Sequence, residues 1–215
     1  MSLSTTPAPA RTDAAGLRPA GPAPRPVAST RSVRRAGIAL ATGSAAWAAA
    51  TLAFGIDPAT RWQDMTYEVT ALLFQLGLVA LVSVQLRTGA VGTGRLARFC
   101  LHLEHVLLGL AIVSTSTSAF LPQYDEAGWY LALDAFWPLS MVGMFLIGIR
   151  IAIAGRWTGA ARWWPLGAES WAVVNIPVAQ LAPEFVAYTA GGHLLVGYVA
   201  LGVVLALRPE LTGAR

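Results

Sequence analysis

Glu68, Asp134, Glu184 and His193 all stand within or beside long apolar runs, together with the amides Asn175 and Gln180. Ionisable side chains are expensive in hydrocarbon, so residues of this kind are candidates for function. Counting about 1.5 Å per residue puts Glu68, Glu184 and His193 roughly one turn from one membrane surface and Asp134 about 8 Å below it. Gln180 lies one turn from Glu184 on the same helical face. Ser114 to Ser118 add a run of hydroxyls at comparable depth. If these side chains converge, three kinds of chemistry are open. Crowded carboxyls cannot all ionise, so a proton can be held and passed on. Asp, Glu and His also suit a divalent metal. Asp134 or Glu184 could act as an acid with His193 as its catalytic partner. The plainer alternative is that Glu68 faces its own helix dipole while Glu184 and His193 touch headgroups and water.

A second group comprises Arg98, His102, Glu104 and His105, with Glu169, which the run boundaries put near the opposite surface. His102 and His105 share a face and could supply two metal ligands, but HLEH is a weak signature. Pairing of Glu104 or His105 with Glu169 or an arginine is the structural alternative. Bis-histidine haem ligation needs two helices at one depth. His105 and His193 differ by roughly 10 Å in level, which argues against it. Cys100 is the sole cysteine, excluding an internal disulfide or a CxxC pair.

The elements that must position these groups are read from hydropathy. The chain is 55% hydrophobic and 12% charged, about half the charge of an ordinary soluble domain. Runs at 36–54, 66–86, 96–120, 129–149, 166–188 and 190–207 approach or exceed the roughly 20 apolar residues that cross a bilayer. They predict an all-α, six-helix transmembrane bundle at 36–207. A disordered Arg/Pro/Ala-rich tail is expected at 1–35 and a short tail at 208–215. The 15 basic residues are all arginine. With alternating passes, every arginine except Arg61 falls on one side, predicting cytoplasmic termini. The arginines sit between apolar runs and form no stripe on a folded surface, which argues against nucleic acid. The abundance of Ala, Gly and Arg suggests a bacterial origin, and hence a multi-pass protein of the inner cell membrane.

The first run exceeds a typical signal-peptide core of about 7–15 residues, favouring an uncleaved helix over a cleaved leader or a transit peptide. Gly37, Ala41 and Ala45 give that helix a small-residue face for close packing. Asp57-Pro58 suggests a brief interfacial helix before the second span. The segment ESWAVVNIPVAQLAPE, beginning at Glu169, carries Pro177 and Pro183 beside Asn175 and Gln180. Such a helix needs shielding by neighbours, which predicts a central place in the bundle. Broken helices at the midplane hold substrates in transporters, but no second segment here resembles NIPVAQLAPE.

No nucleotide fingerprint, GxSxG elbow or HExxH is present. The leading expectation is therefore a pocket in the outer half, lined by Glu68, Asp134, Gln180, Glu184 and His193. With Asn175 nearby, it would bind a small or lipid-like ligand or a proton. An intramembrane acid–base or metal-dependent enzyme is the first alternative. An accessory subunit of a membrane complex is the second. Cofactor identity, metal occupancy and homo-oligomerisation stay open at this stage.

Overall fold

A computed structural model describes residues 28–215. Most of the expected tail, residues 1–27, lies outside the described residues. Helix α1 (Thr30–Phe54) starts earlier than its hydropathy suggests, because Ser29 accepts from the Ser32 N–H and caps it. α2 (Arg61–Thr88) and α3 (Arg95–Phe120) follow. Next come α4 (Gly128–Asp134) and α5 (Phe136–Ala154), then α6 (Gly159–Glu169) and α7 (Trp171–Leu181). The last rod contains α8 (Val186–His193), a π-helical stretch (Leu194–Val199) and α9 (Ala200–Leu207). No strand occurs among the described residues.

Five segments are long and apolar enough to cross a membrane: α1, α2, α3, Gly128–Ala154 and Pro183–Leu207. The fold is an all-α polytopic bundle. The candidate run at 166–188 is not one helix, and its bounds need correction. It begins seven residues earlier, at Gly159, stops at Ser170, resumes as α7 and ends at Leu181. The chain turns at Ala182 and Pro183, so Glu184 belongs to the start of the last rod. The N-terminal part escapes a hydropathy reading because it carries Arg162 and Pro165. Arg162 is accommodated by donating to the Ala152 carbonyl at 2.9 Å and lying over the Trp163 ring.

The central element is α1, against expectation. Gly37 faces Gly202 so closely that an added Cβ would lie 2.6 Å from the Gly202 carbonyl oxygen. Gly43 and Gly77 bring α1 and α2 into similar backbone contact. By contrast α7 buries only Ala172 and Asn175 and leaves Val173, Val174, Ile176 and Leu181 exposed. Of its polar side chains, Asn175 donates to Trp171 O within α7 and Trp171 Nε1 donates to Ala190 O on α8. No interfacial helix precedes α2; Thr60 and Gln63 form a capping box there.

Arginine-rich turns meet at one end of the bundle. The C-terminal segment folds back onto it, with Thr30 donating to Arg215 O at 3.2 Å and Thr158 to Leu211 O at 2.9 Å. At the other end, Arg61 reaches the Asp64 carboxylate and the Ala119 carbonyl, capping the end of α3.

Candidate functional site

Glu104 is nine residues into α3 from Arg95, and Glu169 is ten into α6 from Gly159. At about 1.5 Å per residue both lie roughly 14–15 Å from the arginine-rich end, near mid-depth in a bilayer core of about 30 Å. For Glu169 this corrects the expected place three residues into the run at 166–188, whereas Glu104 shifts by only one residue. Glu104 is 2% exposed and Glu169 0%. Tyr198, nine residues before the end of α9, reaches the same level.

Each carboxyl has one hydroxyl partner. Ser140 donates to Glu104 Oε1 at 2.6 Å, and Tyr198 donates to Glu169 Oε2 at 2.9 Å. Glu169 Oε1 has no protein partner. Among the described residues the salt bridge is Arg61–Asp64, so neither buried acid is matched by a cation. Both acids lie against α5 where it has no side chain. The Glu104 carboxylate occupies the place of a Gly143 β-carbon, and Glu169 Cγ sits 3.3 Å from where a Gly148 β-carbon would be. Gly143 and Gly148 are about 7.5 Å apart along α5, so the two carboxyls lie against neighbouring turns of one helix.

The break after Glu169 explains how this level is built. Ser170 donates to Gly167 O at 2.7 Å, competing with the helical pattern. His193 Nε2 bonds the same carbonyl at 2.9 Å and Ala168 O at 3.2 Å, satisfying acceptors opened by the break. The last rod has its own irregularity opposite, and Trp164 Nε1 donates to Val196 O and Gly197 O within the π-helical stretch. Trp171 Nε1 donates to Ala190 O at 3.2 Å. Two distorted segments thus share their unsatisfied backbone groups, and π-helical insertions of this kind occur often at functional sites. Behind Tyr198, Phe74 stacks edge-on at 4.9 Å, and Trp47 gathers Tyr67, Phe74, Trp137 and Trp171 around it.

The residues singled out from sequence fall into several places. Glu68, Asp134, Asp64 and Asp125 lie in one region at the end of the bundle opposite the arginine-rich turns, with no hydrogen bond between Glu68 and Asp134. Ser114 donates to Asp134 Oδ1 at 3.0 Å. In this group Asp125, on the α3–α4 connection, has its pKa raised by burial and by Asp64, with Arg61 opposing. Gln180 and Glu184 are exposed near the α7 turn. His193 serves the α6 carbonyls. Asn175 is 2% exposed and donates to Trp171 O at 2.9 Å, leaving its own Oδ1 unpartnered. His105 is tied to Ser83 and to Leu101 O. Among the described residues no three His, Cys, Asp or Glu side chains are grouped to hold a metal ion.

Sequence reasoning missed Ser140 and Tyr198 as partners of the acids. Extending the apolar run at 166–188 back to Gly159 would have exposed the depth of Glu169. Comparison with protein-family models, with curated proteins and with solved structures returned no match.

Proposed function

We propose that this chain is an integral protein of a bacterial cell membrane, both termini cytoplasmic, that takes up and releases protons at Glu104 and Glu169. One observation carries the reading. Two acids from different helices are buried at one level with hydroxyl partners and no cation. An ionised carboxylate in such a place costs several kcal/mol, so each group is most stable holding a proton. The contact of both acids with glycine backbone leaves room for a proton in preference to a bulky ligand. Ser140 and Tyr198 can accept or donate as the carboxyls change charge. The interrupted span beside Glu169 supplies backbone that can shift when that charge changes, without breaking a continuous helix. The sidedness rests on the arginine distribution.

The test is proton uptake by purified protein in liposomes under an imposed pH gradient. Wild type should take up protons, and Glu104→Gln with Glu169→Gln should abolish the uptake while leaving insertion intact. Uptake equal to wild type in the double variant would reject the reading.

A cavity of about 650 Å³ favours a second reading, in which a lipid-like ligand binds beside His193. Trp163, Trp164, Tyr188, His193 and Val196 line it. A native lipid retained at one copy per chain, and lost in Gly192→Trp, would support it. Equal lipid retention in both proteins would count against it.

A further inference from the structure

At the arginine-rich end, the α2–α3 and α5–α6 connections, the start of α3 and the C-terminal segment border a second, open cavity of about 830 Å³. Its wall carries Arg87, Arg98, His102, Arg156 and Arg215, with Thr88 and Thr93 among the polar groups between them. Among the described residues no aspartate or glutamate lines it. Arg34 holds Ala206 O, Arg61 holds Asp64 and Arg162 holds Ala152 O, whereas Arg31, Arg35, Arg95, Arg150 and Arg208 lie outside this cavity without such a bond among the described residues. Among the described residues, the side chains of Arg87, Arg98, Arg156 and Arg215 make no such bond.

The cavity has a built floor. Trp157 is fully buried and donates to Thr88 Oγ1 at 2.9 Å, fixing the α5–α6 turn beneath the end of α2. That anchor holds Arg156 so near the α2–α3 turn that a β-carbon on Gly89 would lie 3.6 Å from its Nε. Gly89 and Gly92 turn with φ of 65° and 120°, a region that favours glycine, and leave bare backbone on this wall. Arginines that merely orient a membrane protein need only lie on the correct side. Nothing in that rule requires them to surround one space.

We infer that this cavity binds a phosphate-bearing anion. Guanidinium groups match phosphate oxygens through paired N–H donors, and several converging on one space repel each other until an anion enters. The phosphate could belong to an anionic lipid headgroup or to a water-soluble compound, since both offer the same oxygens.

Titration of the full-length protein in neutral detergent with inorganic pyrophosphate tests the soluble source. Titration in nanodiscs with phosphatidylglycerol against a phosphatidylcholine background tests the lipid source. Saturable binding in either arm is expected, and the arm that saturates names the source. Arg98→Gln with Arg156→Gln should weaken it by roughly tenfold or more. Arg156→Lys keeps the charge but loses the fork, and should weaken it less than Arg156→Gln. Arg208→Gln removes a charge at the same end but outside the cavity, and should change affinity by less than about twofold. Equal losses in the cavity and Arg208 variants would reduce the effect to bulk charge and overturn the proposal. So would the absence of saturation in both arms.

Discussion

Two groups of acids occupy this bundle, and they differ in almost everything but residue type. The outer group, Asp64, Glu68, Asp125 and Asp134, lies by the α3–α4 connection, with Asp134 exposed, the others half-buried, and Arg61 paired to Asp64. The inner pair, Glu104 and Glu169, has two hydroxyls, two glycines and no cation. An exposed charge such as Asp134 is screened and can be rearranged at little cost, whereas a buried group depends on each partner it has. The inner pair is therefore where a change in protonation has structural consequences.

The largest effect should come from filling the glycine notch. Gly143→Leu would drive a side chain into the Glu104 carboxylate and either expel the acid from its site or separate α3 from α5. A loss of about 3 kcal/mol or more is expected, read from unfolding in mixed micelles. Tyr198→Phe should come next. It removes the hydroxyl from Glu169 Oε2 without changing shape much, and should cost about 1–3 kcal/mol. In that background Glu169→Gln should cost less than it does in wild type, because the two side chains share one interaction.

Smaller effects belong to the outer and exposed residues. Glu184→Gln should change stability by no more than about 0.5 kcal/mol, as exposed positions usually do. Asp125→Asn should raise the unfolding midpoint slightly at neutral pH. Its carboxyl has a raised pKa, so the folded state binds more protons than the unfolded state, and stability falls as pH rises through that range. The benefit of the amide should vanish in acid, where Asp125 is protonated in both states. A benefit that grew as pH fell would reverse the sign assigned here.

Most of the architecture was legible because it is a matter of length and hydropathy. The runs that became α1, α2, α3 and the last rod needed only their bounds adjusted. Ser29 and Thr60 set the starts of α1 and α2 by capping, a local effect that hydropathy does not register. The fifth span was misjudged because Arg162 and Pro165 lower the apolar signal where α6 lies. Their solution, a carbonyl on α5 and the ring of Trp163, is tertiary. That shift in starting point moved Glu169 from the expected surface to mid-depth and moved Glu184 off the span altogether. Tyr198 carried no warning either. A tyrosine in an apolar run reads as a core aromatic, and its bond to Glu169 depends on the register of the π-helical stretch. For His193, the intramembrane position was visible, but its partners are backbone carbonyls freed by a break at Ser170, whereas the sequence suggested breaks only at Pro177 and Pro183.

The central claim is that Glu104 and Glu169 hold protons at neutral pH. Infrared spectra of the purified protein at neutral pH, in water and in heavy water, test it through the carbonyl band of protonated carboxyl groups. Wild type should show that band. Glu104→Gln with Glu169→Gln should remove it, and Glu68→Gln with Asp134→Asn should leave it in place. A band that survives loss of the inner pair, or disappears with the outer one, would contradict the account.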